Sequence, residues 1–142
     1  MNLERFHKAQ ENSYSAALAE IKNGRKYSCW MWYVFPQLSG LGQSPTARFY
    51  GISDLEEARE YLKDEILGSR LIEISNALLA LVSNDAYEIF GFPDDLKLKS
   101  SMTLFALADP NLDIFQKVLD KFFGGERDEN TIRLLEQRKS SE

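Results

Sequence analysis

The side chains able to do chemistry in this sequence gather in two stretches. The first runs from Tyr27 to Gly51, where Arg48 is the only charged residue although the chain as a whole is 27% charged. It holds both tryptophans, Trp30 and Trp32, together with Tyr27, Tyr33, Phe35, Phe49 and Tyr50. A surface loop would carry charge, so this segment is expected to be covered or to line a cavity, with Gln37, Ser39, Gln43, Ser44 and Thr46 serving its backbone polar groups. Two readings stay open. The aromatics are core filler with polar tips, or they wall a pocket in which a few polar groups orient a ligand. Within the segment, Gly40-x-Gly42 leads to Ser44-Pro45, an N-cap followed by a first-turn proline, and the short helix this opens would end at Gly51. Free N–H groups at such a terminus suit a phosphate or carboxylate, with Arg48 as counter-charge. An ordinary capped helix explains the same residues.

The second stretch is Lys97-Leu98-Lys99-Ser100-Ser101-Met102-Thr103. On a helix Lys97 lies one turn from Ser100 and Ser101, where an amine could activate a hydroxyl or both could contact a ligand. Hydroxyls inside a helix otherwise bond back to the carbonyl four residues earlier, and that is the plainer reading. Cys29 and His7 are the chain's single cysteine and histidine. They fall in different elements, so a thiol–imidazole pair has nothing to bring it together. Asp94-Asp95 read as first-turn carboxylates favoured by the helix dipole, and the acidic run from Asp54 to Glu65 reads as a solvated face.

Composition removes whole classes of function. One cysteine and one histidine leave no disulfide framework and no Cys/His metal cage, so neither metal nor cofactor is expected. A net charge of −5 argues against a nucleic-acid binder. The longest apolar run, Cys29 to Phe35, is far shorter than the roughly 20 residues of a membrane span, and the N-terminus has no leader-like apolar stretch. No membrane role is therefore expected. The lone thiol suits a reducing compartment, and the cytoplasm is the expected location.

The elements that must position these residues read as helices. Residues 2–23 repeat apolar positions at helical spacing, with a break at Gln10 and a stop at Gly24. Ser53 and Glu56 form a capping-box pattern ahead of Leu55, Ala58, Tyr61 and Leu62. Leu67, Leu71, Ile74, Leu78 and Leu81 give the cleanest periodicity, and Gly68 marks a bend. A short segment, Asp85–Phe90, ends at Gly91, and Pro93 falls in the first turn of a helix that turns Leu98, Met102, Phe105 and Ala106 inward. Asp109-Pro110 would open the next, carrying Leu112, Phe115, Val118, Leu119 and Phe122 to Gly124-Gly125. Asp128 caps a last helix with Ile132 and Leu135 inside, fraying over residues 137–142. No stretch alternates at period two. The expectation is one all-α compact domain, residues 1–142, of six to eight helices with a buried aromatic Gly/Pro-rich loop.

Several strings together resemble the domain-of-unknown-function 1810 family. They are Asn2-Leu3-Glu4-Arg5-Phe6 with Ala9-Gln10, Trp30-Met31-Trp32-Tyr33-Val34-Phe35-Pro36-Gln37 with Gly40-Leu41-Gly42-Gln43-Ser44, and Phe90-Gly91-Phe92-Pro93-Asp94 leading through Lys97 to Phe105. Leu67-Gly68-x-Arg70-Leu71 and Gly125-x-x-Asp128-x-x-Thr131 also fit. The resemblance implies a small, largely helical, bacterial-type domain, and no established activity, substrate or cofactor. Members often carry histidine immediately before Trp-x-Trp; Cys29 occupies the corresponding place here, one residue before Trp30.

The expected function is binding of a small polar or anionic ligand, nucleotide-like chemistry included, by Tyr27, Trp30, Trp32, Gln37, Ser44, Arg48, Lys97, Ser100, Ser101 and Thr103. This requires the aromatic segment and the serine helix to pack side by side around a cavity. The alternative is a protein-interaction or homodimer module that exposes Trp30 or Tyr33 on an apolar face. Whether the chain is an enzyme stays open at this level.

Overall fold

The computed structural model describes residues 2–140, and within them the chain forms ten helices and no strand. In order they are α1 Glu4–Glu11, α2 Tyr14–Lys22, α3 Met31–Val34, α4 Pro45–Tyr50, α5 Leu55–Lys63, α6 Glu65–Leu79, α7 Ala86–Phe90, α8 Asp94–Ala108, α9 Ile114–Phe123 and α10 Glu129–Ser140. The all-α reading holds, with more helices than the six to eight expected. A single parallel bridge pairs Leu38 with Ile52 and closes the aromatic loop at its base. No helix among the described residues is long and apolar enough to cross a membrane.

The extra helices come from short breaks that periodicity passes over. The run 2–23 divides at Asn12–Ser13, where the Ser13 hydroxyl donates to Ala9 O at 2.6 Å. Gln10 is not the break. It is a buried polar residue whose Nε2 donates to Tyr33 O at 2.7 Å and Tyr61 Oη at 2.9 Å. The bend expected at Gly68 lies at Asp64, whose carboxylate caps α6 through the N–H groups of Ile66 and Leu67. Gly68 serves close approach instead: a side chain there would meet the Leu62 carbonyl oxygen at 2.1 Å.

Other boundaries move by a few residues. The capping box is Asp54 with Glu57, one residue beyond Ser53 and Glu56: Asp54 accepts from Glu57 N, and Glu57 accepts from Ser53 N. Pro93 holds the N-cap position of α8, after a cis Phe92–Pro93 peptide. Asp109-Pro110 forms a turn instead of opening α9, which starts beyond Asp113. Helix α10 runs on through 137–140, and residues 141–142 lie outside the described chain.

Helix α8 is the axis of the molecule. Every residue from Ser100 to Ala106 is buried, because α5, α7, α9 and α10 all pack against it. Around it Phe6, Tyr61, Phe105 and Phe115 make a chain of ring contacts, and α6 closes the core against α2, α5 and α9.

Candidate functional site

The first turn of α8 faces the segment that leads into α3, and side chains from four strings of sequence converge there. Glu20 of α2 organises the approach. Its carboxylate accepts from Tyr27 N at 2.6 Å, Ser28 N at 2.9 Å, Ser28 Oγ at 2.6 Å and Trp30 Nε1 at 3.0 Å. Burial alone would raise its pKa, but the donors from Ser28, Tyr27 and Trp30 outweigh that and hold it down at about 2. Trp30 is thereby fixed with its ring buried against Phe35 and Phe90.

Asp94 then binds two ammonium groups. Lys26 Nζ lies 2.9 Å from Oδ2, and Lys97 Nζ lies 3.3 Å from Oδ1. Each cation also sits over an indole: Lys26 is 5.1 Å from the Trp30 ring centroid, and Lys97 is 3.7 Å from that of Trp32. The Lys26 and Lys97 side chains are only 10% and 20% exposed. Two cations share the Asp94 carboxylate, and the ionised Glu20 carboxylate is spent on amide, hydroxyl and indole donors instead of on either ammonium. The Gly42 turn lies between the edge of Trp32 and α4, where a side chain at 42 would come within 2.7 Å of Ala47 Cβ.

The hydroxyl cluster lower on α8 faces a different partner. Ser100 Oγ lies 3.2 Å from both Leu96 O and Asp128 Oδ2, and its single proton is shared between these two acceptors. Thr103 Oγ1 donates to Lys99 O at 2.8 Å and accepts from Asp128 N at 2.9 Å. Asp128 also accepts from Thr131 N at 3.0 Å and Thr131 Oγ1 at 2.6 Å. This network caps α10 and fastens it to α8. Back-bonding, the plainer of the two sequence readings, therefore accounts for Ser100 and Thr103. Ser101 differs: it is fully buried and its Oγ has no hydrogen-bond partner.

The expected site residues thus divide. Trp30, Trp32 and Lys97 meet at the corner, with Tyr27 at its rim, 74% exposed. Ser101 lies on the same helical face as Asp94 and Lys97, one turn further in (positions i, i+3 and i+7). Ser100 and Thr103 belong to the α10 lock. Gln37 sits at the loop base, its carbonyl accepting from Ile52 N at 3.0 Å. Ser44 is the N-cap of α4, bonded to Ala47 N at 3.1 Å, and Arg48 is exposed on that helix. Cavities of about 430 and 460 Å³ open elsewhere, and none of these residues lines either. His7 pairs with Asp64 at 2.8 Å, whereas Cys29 is exposed beside the corner.

Residues 1–135 match the family described as "Protein of unknown function (DUF1810)". The chain belongs to the DUF1810 family. Among solved structures it is similar to the conserved hypothetical protein Rv1873 from Mycobacterium tuberculosis, at 49% identity and a TM-score of 0.92, over 94% of this chain and 96% of that one. No curated protein matches the chain. Two of the DUF1810 strings picked out in the sequence meet here: Trp30, Trp32 and Phe35 come from one, Phe90, Asp94 and Lys97 from the other. Sequence reasoning missed Glu20 and Lys26, which lie outside those strings, and Asp94 was read only as a helix-dipole residue. Two lysines, at 26 and 97, within reach of one Phe-Pro-Asp carboxylate were the signal available.

Proposed function

We propose that this DUF1810 protein binds a small polar or anionic ligand at the Lys26–Asp94–Lys97 corner, with nucleotide-like chemistry as the first class to try. The observation that carries the reading is the sharing of one acceptor: two mostly covered ammonium groups, each over an indole ring, both use the Asp94 carboxylate. An incoming phosphate or carboxylate would accept from the ammonium hydrogens that Asp94 does not use, where solvent screening is weak. Trp32 and the exposed rings of Tyr27 and Phe92, next in sequence to Lys26 and close to Asp94, supply flat apolar surface for a base or ring. The exposed Cys29 thiol fits a reducing, cytoplasmic setting.

The test is thermal unfolding and amide chemical-shift mapping with inorganic phosphate and with adenosine 5′-monophosphate. The reading expects a saturable rise in Tm and shifts confined to residues 26–32 and 91–98, both lost in Lys26→Met/Lys97→Met. Shifts scattered over the surface, or a Tm response unchanged in the double variant, would end it.

A second reading has its own observation. Tyr27, Tyr87 and Phe92 are exposed around α7, and Lys26 N bonds Ile89 O at 2.8 Å, which puts Tyr27 beside that helix. These rings would serve self-association, although of the two residues expected on such a face Trp30 is buried and Tyr33 half-buried. Light scattering that finds a monomer at high concentration removes this reading.

A further inference from the structure

Helix α10 is fastened at both ends. At its start the Asp128 network ties it to α8. Near its end Arg138 donates Nη1 to Ser53 O at 2.9 Å and Nη2 to Ser39 O. Between the two fastenings a groove of about 430 Å³ runs beside the helix, floored by Leu55 of α5, Leu107 of α8, and Ile132 and Leu135 of α10. All four floor residues are half-buried, so the groove is an apolar surface that the fold leaves open. Its volume falls within the range of small-molecule sites, about 300–1,000 Å³.

The charges at its edge are unequally engaged. Asp54 spends Oδ1 on capping α5, Glu56 lies 3.8 Å from Arg59, and Glu136 is also engaged. Arg138 bonds two neutral carbonyls and pairs with no carboxylate among the described residues. Arg59 donates Nε to Ala108 O at 3.0 Å, which holds its guanidinium at the groove while leaving further N–H donors. Two guanidinium groups are therefore anchored by backbone, with bonding capacity left over, beside an aliphatic floor.

We infer that this groove is a second binding site, for a small amphipathic anion. The ligand's apolar body lies on Leu55, Leu107, Ile132 and Leu135, and its carboxylate, sulfonate or phosphate meets Arg138 and Arg59. Leu107 stands about 15 Å of helix rise from Lys97, so the groove is separate from the corner at the other end of α8.

The probe is 8-anilinonaphthalene-1-sulfonate, which joins a flat apolar body to one anionic group, titrated into the folded full chain. One saturable fluorescence enhancement is expected, with amide shifts at residues 54–59, 107 and 132–139. Leu135→Trp fills the groove and weakens binding at least tenfold, while Lys117→Ala on α9 leaves it unchanged. If Leu135→Trp does not fold, Ile132→Trp and the wild-type shift map make the same discrimination. Three results overturn the inference: no saturable enhancement, shifts that avoid the groove, or binding indifferent to a folded groove-filling variant. A wild-type dimer that Leu135→Trp converts to monomer overturns it too, because a second copy would then occupy the groove.

Discussion

Two clusters along α8 are each built on one aspartate, to opposite effect. Around Asp128, each of the hydroxyls of Ser100, Thr103 and Thr131 has a partner, and the result is a closed network that joins two helices. Around Asp94, the carboxylate is outnumbered by ammonium groups and the cluster opens on solvent. Buried polar groups that satisfy one another specify structure; ammonium groups with donors to spare are what an anionic ligand can engage. The difference lies in what each aspartate collects: hydroxyl and amide donors at Asp128, ammonium groups at Asp94.

The sharpest way to break this comparison is to open the closed network. Asp128→Ala removes the acceptor of Ser100, Thr131 N and Thr131 Oγ1 together with the cap of α10, and should cost about 3 kcal/mol in urea unfolding. A loss below about 1 kcal/mol would mean that the network is not what holds α10.

Next in size is the carboxylate behind the open corner. Glu20→Gln should cost about 2 kcal/mol, because a charged acceptor of four donors is replaced by an amide that must turn its NH₂ toward one of them. Its pH signature has a definite sign. The folded pKa of about 2 is depressed from the ordinary 4.5, so the contribution is complete above the unfolded value and lost as pH falls toward 2. Wild type should lose stability across that acid window more steeply than Glu20→Gln, as read from unfolding midpoints at stepped pH. Parallel curves would show that Glu20 titrates alike in both states.

A smaller effect has the opposite direction. Ser101→Ala removes a fully buried hydroxyl without a partner and places a better helix former in α8. It should raise stability by about 1 kcal/mol; a loss would reveal an internal partner such as a buried water. The smallest change is expected from Lys97→Met, about 1 kcal/mol or less, since Lys26 still neutralises Asp94. A much larger loss would make the corner structural, like the Asp128 lock.

Much of the fold was legible because apolar spacing reports burial directly. Phe115, Val118, Leu119 and Phe122 face inward as their periodicity requires, and the Ser44-Pro45 start of α4 is where the capping residues put it. Boundaries were less legible where a carboxylate could cap from either of two neighbouring positions, as with Ser53 and Asp54, or where a polar residue such as Gln10 is buried and satisfied from distant elements. The candidate site was half legible. Trp32 and Lys97 announce themselves by type, but their pairing with Lys26 and Asp94, and the bonding of Ser100 and Thr103 to Asp128, depend on contacts across the fold that spacing does not carry.

Arg138 has a consequence for how the molecule comes to be made. It bonds the carbonyl of Ser39, 99 residues earlier, and that of Ser53, 85 residues earlier. The base of the aromatic loop is thus held from two distances along the chain, by its own neighbours and by a guanidinium from a remote helix. The Leu38–Ile52 bridge closes the loop between residues 14 apart, whereas the Arg138 stitch must bring together parts of the chain about six times more distant, so the loop's base forms in two steps of very different reach, the local one first.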